Sequence, residues 1–399
     1  MEKIWVKIQE VLFFQEGPGV RNTQYTTEGV KLLNVSNLVN GKVDLSTSDR
    51  YISKEEAYGK YKHFLCDAGD FIVASSGIKV EYIDKKMGFI NETMLPLCMN
   101  TSTIRFKTLD PKRLRIRYFM FYLKSQNFKN QLFRQITGSA QLNYGPSHLK
   151  KMFMPLIDIS LQDDIVRKLD KIQCIIEMRQ QELVKLDDLI QARFVELFGE
   201  PSTNPRGWTE TTVGDECFYI KDGPHKSLPD IGKENGGHPF ISVRNIVNGY
   251  IDFSTARYIS DEDFAEAIKK CHPEKGDILY SKGGTTGIAK FIDIDEEFAN
   301  WVHVAVLKFD KSKLNGIFFE NMLNGAYCYE QSQRLTKGIA NRDLVLSAMA
   351  QIKMYRPPIE LQNQFAGFVN QVHKSKVEIQ QALEKTQLLF DSLMQQYFG

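Results

Sequence analysis

The stretch VSNLVNGKVDLSTSDRYIS at residues 35–53 reappears 208 residues later as VRNIVNGYIDFSTARYIS at residues 243–260. When one residue of the first stretch is skipped, twelve positions are identical, which is far above chance and indicates an internal duplication. The period is much longer than the roughly 20–50 residues of solenoid and propeller repeats. The chain therefore contains two domain-sized copies of one unit, and such a protein is suited to a partner that itself has two-fold character.

The same correspondence runs along the rest of the chain. The Gly-Pro pair at residues 17–18 matches the pair at 223–224, and from residue 138 the offset settles at 200, so that Gln162 corresponds to Gln362. The segments between these markers differ, since SSGIKVEY follows one Gly-Asp turn and SKGGTTGIAKF follows the other. A shared frame with divergent inserts suggests one architecture that recognises two different things.

Composition places the chain among ordinary globular proteins. It has 399 residues, of which 42% are hydrophobic and 25% charged, with room for two or three domains. The net charge of +2 neither requires nor excludes nucleic acid, so the local distribution of charge matters more.

Six cysteines without a C-x-x-C pair are typical of a reduced, intracellular protein. The start, MEKIWVKIQE, lacks the apolar core of a signal peptide, and no run is long enough to span a membrane. We therefore expect a soluble protein of the cytoplasm.

Each half begins with a β-rich segment and continues with a helical one. Alternating patterns between glycine-containing turns predict strands in KLLNV, KVDLS, FIVAS and STIRF of the first half, and in PFISV, YIDFS, DILYS, AKFID and VHVAVLKF of the second. A helical stretch is predicted at residues 111–133 and another at residues 317–334. Each globular unit is therefore expected to be mixed α+β.

Each half then changes to a heptad pattern. Apolar residues recur at alternating spacings of four and three over nearly five heptads, which predicts a coiled coil in both halves. The predicted seam residues are Ile165, Leu169, Ile172, Ile176, Leu183, Leu186, Ile190 and Leu197 in the first helix, and Phe365, Val369, Val372, Ile379, Leu383, Phe390, Leu393 and Tyr397 in the second. The remaining seam positions hold Arg179, Arg193, Lys376 and Thr386.

A single heptad helix is more often part of a core or a dimer seam than a functional device. Two helices of equal length, each following a matched unit, favour an antiparallel pair within the chain. Each would be about 60 Å long at about 1.5 Å per residue. The globular units would then lie at opposite ends, related by a pseudo-two-fold axis, with the helix pair acting as a ruler. A capping box at Ser160 and Asp163 is predicted to begin the first helix, and Gly199 to end it.

No catalytic constellation is visible in the sequence. SKGGTTG at residues 281–287 fails the phosphate-loop pattern because its lysine precedes the glycines, and a turn between strands is the simpler interpretation. The histidines and cysteines show no common zinc spacing. We therefore predict a protein that is not an enzyme and needs neither cofactor nor metal.

Several duplicated loops carry side chains suited to base edges and phosphates. Solvation of an ordinary surface is the alternative for each residue alone, but a duplicated set of polar loops favours nucleic acid. The candidate DNA-binding residues are Arg21, Asn22, Gln24, Ser75, Ser76, Lys79, Ser139, Gln141 and Asn143 in the first half, and His225, Lys226, Arg244, Ser281, Lys282, Thr285, Thr286, Lys337, Asn341 and Arg342 in the second. A basic run between Arg105 and Arg117 is a further candidate for phosphate contacts. The shared Asn37/Asn245 and Tyr51/Tyr258 are expected to hold the fold, because both copies keep them.

The whole pattern resembles the specificity subunits of type I restriction–modification enzymes. The resemblance rests on the paired openings EGPGVRNTQY…EGVKLLNVSN and KDGP…GHPFISVRNI, on GDILYSKGGTTGIAKF, on the GSAQLN loop before a Pro-led helix, and on the junction VELFGEPSTNPRGW. It implies two target-recognition domains, each reading one half of a bipartite, asymmetric double-stranded DNA sequence. It also implies two helical regions that dock two methyltransferase subunits, a core that restriction subunits join, and no membrane partner.

Carried onto this chain, the resemblance implies a first recognition domain at residues 1–149 and a first spacer helix at 150–200. The second recognition domain would occupy residues 201–349, and the second spacer helix 350–399. Within these regions, helices are expected at residues 157–198 and 358–398. Base-contacting residues cannot be carried over, because recognition domains diverge with their targets.

Two rival interpretations stay open at the level of sequence. The chain is either a separate subunit or a specificity module serving a combined restriction–methylation polypeptide, and only a co-purifying partner would separate these. A coiled-coil adaptor with two protein-binding heads is the competitor from another class, and it predicts no salt-sensitive affinity for DNA.

Overall fold

The computed structural model describes residues 3–136, 143–339 and 341–399. The chain divides into two units, and the division falls inside the long helices. Unit 1 comprises Met1–Gln180 together with Gln381–Gly399, and unit 2 comprises Gln181–Gln380. Each unit is thus a globular part completed by half of each long helix.

Unit 1 contains three small sheets and one larger one. Its strands are β1 (Ile4–Lys7), β2 (Leu12–Glu16), β3 (Val30–Leu33), β4 (Leu38–Val39), β5 (Lys42–Val43), β6 (Tyr51–Ile52), β7 (Phe71–Ala74), β8 (Met87–Phe89), β9 (Leu97–Met99), β10 (Thr103–Thr108) and β11 (Phe153–Leu156). The largest sheet has the order β2-β10-β7-β8 and is antiparallel throughout. A second sheet has the order β6-β3-β9 with β3 and β9 parallel, while β1 pairs with β11 and β4 with β5.

The helices of unit 1 pack against the larger sheet and against the β6-β3-β9 sheet. They are α1 (Lys54–Tyr58), α2 (Ile116–Lys124), α3 (Gln126–Gln135), α4 (Pro146–Leu149) and the part of α5 (Ile159–Phe198) that precedes residue 181. Phe71 and Phe106 of the sheet pack against Phe119 of α2, with ring centroids 6.3 and 5.0 Å away. The same core continues into the long helices, because Ile165 and Tyr397 belong to it.

Unit 2 repeats this topology. Its strands are β12 (Thr209–Thr212), β13 (Cys217–Asp222), β14 (His238–Ile241), β15 (Arg257–Ile259), β16 (Ile278–Ser281), β17 (Ala289–Phe291), β18 (Ala299–Asn300), β19 (Val304–Phe309) and β20 (Lys353–Arg356). The sheet orders β13-β19-β16-β17, β15-β14-β18 and β12-β20 match three of the four sheets of unit 1 strand for strand, while the β4-β5 pair has no counterpart among the described strands of unit 2. The helices are α6 (Val213–Glu216), α7 (Asp261–Lys270), α8 (Gly316–Asn324), α9 (Ala326–Leu335), α10 (Leu346–Met349) and the part of α11 (Ile359–Phe398) that precedes residue 381. The duplication seen in the sequence is therefore a duplication of fold.

Within each unit the two long helices run antiparallel. In unit 1 the Arg179 guanidinium donates to the Ala382 carbonyl oxygen, while Ile165, near the start of α5, shares a core with Tyr397 near the end of α11. In unit 2 the rings of Phe194 and Phe365 lie 5.4 Å apart, edge to face. The sixteen apolar seam residues are all buried or half-buried. The α+β class with two long helices, predicted from the sequence, is confirmed.

Three local predictions were wrong. YIDFS forms no strand, because Asp252 accepts hydrogen bonds from the amide and hydroxyl of Ser254 and bends the chain there. The helical stretch at residues 111–133 is two helices broken at Ser125, whose hydroxyl accepts from the Phe128 amide; the stretch at 317–334 breaks at Gly325 in the same place. The first long helix is capped by Asp158 rather than Ser160, since Asp158 accepts from the Ser160 amide at 2.8 Å. At Asp252, Ser125 and Asp158 a short polar side chain offers the backbone a better partner than the regular pattern does, whereas the helix breaks at Gly325 without a side-chain hydrogen bond.

Candidate nucleic-acid interface

An asparagine turn frames the polar loops in both units. The side-chain amide of Asn37 donates to the Asp44 carbonyl oxygen at 3.0 Å, and Asn245 donates to that of Asp252 at 2.9 Å. Each asparagine also accepts a backbone N–H from three residues earlier in the chain. Both are buried, so the identity of the two copies at this position reflects a shared turn, as expected from the sequence.

In unit 2 a buried lysine brings three of the polar loops together. Lys282, whose side chain is 7% exposed, lies 2.9 Å from Asp343 and 3.5 Å from Asp222. Asp222 ends β13, Lys282 follows β16, and Asp343 closes a loop whose other end is Lys337, through a reciprocal pair of backbone hydrogen bonds of 2.9 Å. Lys282 therefore joins these loops instead of facing solvent.

The tips of the joined loops project outward in unit 2. Thr285, Asn341, Lys337, His225 and Lys226 are exposed. Their amide, ammonium and hydroxyl groups are the donors and acceptors that read base edges or neutralise phosphates.

Other predicted residues of unit 2 support the loops from below. Ser281 and Thr286 are buried, and the Ser281 hydroxyl accepts the Ile288 amide at 2.8 Å. Arg342 is half-buried and its guanidinium donates to Gln333 and to Thr286. Arg244 lies apart from these loops, exposed on the three-stranded sheet, where it donates to the Thr255 carbonyl oxygen at 2.7 Å.

Unit 1 assembles its loops around the turn between β9 and β10. The Gly17 amide donates to the Thr103 carbonyl oxygen and the Ser75 amide to that of Ser102, at 2.9 and 2.7 Å. Ser76 pairs with Asn143 as an isolated bridge. The loop after β2, the loop after β7 and residue 143 therefore meet at one edge of the larger sheet.

The predicted residues of unit 1 also divide into tips and supports. Arg21, Asn22, Lys79 and Asn143 are exposed, and Ser76 is half-buried. Ser75 is buried, and the Gln24 amide is held by Glu56 and Tyr61 at 2.7 and 3.0 Å. Ser139 and Gln141 lie outside the described residues.

The basic run does not form a free cationic surface. Arg105 is buried and bonds Asp70 at 3.1 Å, while Arg115 and Arg117 bind carboxylates of α5. Lys107 bonds Asp67 at 2.5 Å, and this hydrogen bond lowers the pKa of that carboxyl below its usual value. These four cations are committed to the fold, and Lys112 and Arg113 are the members of the run that stay exposed without a carboxylate in the described structure.

Nucleophile and metal chemistry find little support in the geometry. Burial raises the pKa of the Cys66, Cys98, Cys217 and Cys328 thiols to about 12, so these cysteines are protonated at neutral pH. Across the described ranges no three His, Cys, Asp or Glu side chains group as metal ligands. The same ranges contain no helix that is both long and apolar enough to cross a membrane.

Residues 205–388, which cover most of unit 2, match the family model of the type I restriction modification DNA specificity domain. This half of the chain belongs to that family. Because unit 1 repeats the same strand orders and the same turn chemistry, it is a second copy of the specificity-domain fold.

Solved structures and a curated relative extend the comparison. The type I restriction–modification S subunit from M. genitalium superimposes with a TM-score of 0.58 at 16% identity, covering 100% of this chain and 96% of that one. A chain from a study of complex assembly and conformational transition of the type I R-M system gives the same TM-score and identity, with coverage of 99% and 97%. These likenesses establish the fold of the whole chain.

The curated relative is the MjaVIII type I restriction enzyme specificity subunit of Methanocaldococcus jannaschii. It is 23% identical over 186 residues, which are 46% of this chain and 42% of the relative. This chain therefore aligns with less than half of that relative's length.

Two residues that the sequence patterns did not single out line a pocket beside the unit 2 loops. Arg257 begins β15 and Trp301 follows β18, and the pocket that they help to line has a volume of about 210 Å³. Arg257 lies in the duplicated stretch, where the first copy also has an arginine, Arg50. A tryptophan after Asn300, where the first copy has Thr101, was the signal available in the sequence.

Proposed function

We propose that this chain is the DNA-reading component of a type I restriction–modification complex. It recognises a bipartite, asymmetric double-stranded target, one half-site per unit, and directs methyltransferase and restriction subunits to that target. The observation that carries the proposal is the duplicated specificity-domain fold, in which buried frames match while the exposed loop tips differ. Two different half-sites require this combination.

Reading would proceed through the loop tips at one edge of each larger sheet. Contacts of lysine and arginine with phosphates would set register and give salt-dependent affinity. Asn22 and Asn143 in unit 1, and Asn341 with Thr285 in unit 2, would read base edges in the major groove, where asparagine pairs with adenine and threonine contacts either edge or the thymine methyl. The buried Ser75, Ser281 and Lys282 would hold these tips in place.

The helix pair would fix the gap between the half-sites. α5 and α11 each contribute residues to both units, and each is continuous across the division. We assign the first recognition domain to residues 1–149, the second to 201–349, and the spacer helices to 150–200 and 350–399. A rigid spacer of this kind would leave the intervening base pairs unread.

The outer faces of the spacer helices would receive two methyltransferase subunits. Apolar side chains are exposed there in both units, including Met178, Leu388 and Leu389 in unit 1 and Val184 and Val377 in unit 2. Exposed apolar side chains repeated along one helix are a feature of protein-binding surfaces. The restriction subunits would join this assembly in the cytoplasm, and the chain would itself catalyse nothing and hold no cofactor.

Base-resolution methylation sequencing tests this proposal. Cells would express the methyltransferase of the system with this chain, and separately without it. We expect a new methylated motif with two short defined halves and a fixed unspecified gap, seen only with the chain. A stable complex with methyltransferase but no new motif would contradict DNA reading and support the adaptor interpretation.

A matched pair of variants assigns the half-sites. Thr285→Ala with Asn341→Ala changes tips of unit 2, and Asn22→Ala with Asn143→Ala changes tips of unit 1. We expect each pair to relax or shift one half of the motif and leave the other half unchanged. A pair that altered both halves equally would contradict one half-site per unit.

A further inference from the structure

A pocket in unit 2 is lined mainly by groups that donate hydrogen bonds. It lies at the edge of the sheet β15-β14-β18, where Arg257 begins β15, Ser242 and Arg244 follow β14, and Trp301 follows β18. Its volume of about 210 Å³ is smaller than the roughly 300–1,000 Å³ of sites for drug-sized ligands. The size fits one chemical group, such as a phosphate, better than a whole nucleotide or cofactor.

The donors of this pocket are only partly used. The Arg257 guanidinium lies over the Trp301 ring at 5.8 Å from its centroid, and within the described residues it makes no hydrogen bond. The indole N–H of Trp301 is buried without a partner in the same part of the chain. Arg244 spends one N–H on the Thr255 carbonyl oxygen, which leaves the rest of its guanidinium. Two cations and an unpaired N–H together are suited to an anion.

One carboxylate lies near the two arginines without neutralising both. Asp230 accepts the backbone N–H groups of Tyr258 and Gly232 at 3.0 and 3.1 Å. These hydrogen bonds lower its pKa, with smaller contributions from the charges of Arg257 and Arg244. Two arginines against one fixed carboxylate leave a net positive charge at the pocket.

The pocket adjoins the loops that we propose to read DNA. A Cβ on Gly223, in the loop after β13, would meet the Asn300 carbonyl oxygen at 1.8 Å, so that loop lies directly on the Asn300–Trp301 backbone. On the other side, His303 packs edge to face against Trp301 and closely against Gly283 of the SKGGTTG loop. A duplex on the unit 2 loops would therefore bring its backbone close to the pocket.

The corresponding place in unit 1 carries different side chains. Arg50, the counterpart of Arg257, lies over the Tyr25 ring at 5.3 Å, and the Tyr25 hydroxyl accepts from Asn100 at 3.3 Å. Thr101 stands in place of Trp301, and Ser36 in place of Arg244. The duplicated fold thus offers an internal comparison, with two arginines and a tryptophan in one copy and one exposed arginine beside a tyrosine in the other.

We propose that Arg244, Arg257 and the Trp301 indole N–H bind one backbone phosphate of the DNA next to the half-site read by unit 2. This inference rests on the proposed function and names a contact that unit 1 lacks. The contact sets register without reading sequence, since phosphate carries no base identity.

Phosphate neutralisation combined with mutation tests the contact. The full chain in complex with its methyltransferase would bind target duplexes in which one phosphate at a time is replaced by an uncharged methylphosphonate. With wild-type protein we expect one linkage beside the unit 2 half-site to weaken binding about tenfold, as a charge-assisted hydrogen bond implies. The double variant Arg244→Gln with Arg257→Gln should weaken binding to unmodified DNA by a similar factor. Neutralising that linkage should then weaken the binding of the variant no further. The slope of log affinity against log salt should fall by about 0.9 for the one phosphate lost.

Two further variants keep the test decisive. Arg50→Gln in unit 1 is the matched control and should leave affinity and salt slope unchanged. Trp301→Phe keeps an aromatic ring but removes the indole N–H, and should reproduce part of the loss even if the double variant is poorly folded. The motif half read by unit 1 should be unchanged in every variant.

Each remaining result has a definite meaning. If the wild-type complex shows no specific, salt-sensitive binding, the proposed function fails. If it binds its target but the pocket variants bind equally well, only the pocket inference fails. If the pocket variants lose their effect on DNA with an abasic site, but keep it on DNA with a neutral linkage, the pocket holds a base. The phosphate assignment is then wrong.

Discussion

Replacing the buried glutamine near the start of each long helix should loosen that helix from its globular unit. Gln162 and Gln362 are both fully buried. Gln162 donates to the carbonyl oxygens of Arg113 and Ile157, both at 2.9 Å, and accepts the Arg115 amide at 2.9 Å. Gln362 makes the corresponding bonds to Lys313, Pro357 and Asn315, at 3.2, 2.8 and 2.8 Å. Each side chain therefore ties the long helix to the segment that begins α2 or α8.

Gln162→Met keeps the approximate side-chain volume and removes all three partners. A buried backbone group left unpaired costs about 1–3 kcal/mol, so three groups imply a loss of roughly 3 kcal/mol or more in local stability. At about 1.4 kcal/mol per tenfold, this corresponds to about a hundredfold faster opening. Gln362→Met should have the same effect in unit 2 because the geometry is the same.

Hydrogen exchange is the suitable assay, since a chain with two units need not unfold in one step. We expect amides around Arg115 to exchange about a hundredfold faster in Gln162→Met, with amides of unit 2 unaffected, and the reverse for Gln362→Met around Asn315. Gln191→Met and Gln364→Met change exposed glutamines on the same helices and should alter stability by less than about 0.5 kcal/mol. Exchange in Gln162→Met within about threefold of wild type would refute the argument.

Three further predictions concern the helix pair and the turns. Inserting seven residues in register into both α5 and α11 adds about 10.5 Å, and should lengthen the gap of the methylated motif by about three base pairs while each half-site stays the same; an unchanged gap would exclude the ruler. Arg179→Leu replaces a half-buried guanidinium that donates to Ala382 and Thr386, and should raise the thermal midpoint of unit 1, whereas a lower midpoint would show that this polar seam position is net stabilising. The Asp44 and Asp252 carboxyls have pKa values lowered by hydrogen bonds from Ser46 and Ser254, so the stability they contribute should be present above their unfolded pKa and lost as pH falls through the folded value. Replacing both aspartates by asparagine should reduce the fall of the thermal midpoint as the pH is lowered. An unchanged dependence of the midpoint on acidic pH would contradict this linkage.

The long helices were predictable because their signal is repeated many times. The heptad pattern continues over nearly five heptads, and the observed bounds of the helices, Ile159–Phe198 and Ile359–Phe398, lie within two residues of those expected from the sequence. Of the strands of the larger sheets, β7, β10, β16, β17 and β19 were predicted from runs with strand-like alternation, although the structure buries both faces of most of them, whereas β2, β8 and β13 were not predicted. The YIDFS stretch alternates equally well, yet the Asp252 side chain captures the amide of Ser254 and ends any strand.

The candidate interface was less predictable, because exposure depends on contacts between distant segments. Lys282 reads as a surface lysine in SKGGTTG but is enclosed by Asp222 and Asp343, which are 60 and 61 residues away. Gln24 similarly bonds Glu56 and Tyr61. No local pattern reveals such pairs. The base-contacting role of the exposed tips stays a prediction until the variants are measured.

The division of the chain has a consequence for its synthesis. Unit 2 is one continuous segment, but unit 1 needs residues 381–399, and Phe398 packs against Tyr118 and Tyr122 at 5.1 and 6.0 Å. Domains usually fold in the order in which they leave the ribosome. Here the half made first must wait for the end of translation, with part of its aromatic core uncovered, while the half made second can already close. A premature stop codon within the last part of α11 would therefore damage unit 1, the N-terminal half, more than unit 2, although unit 2 lies closer to it in sequence.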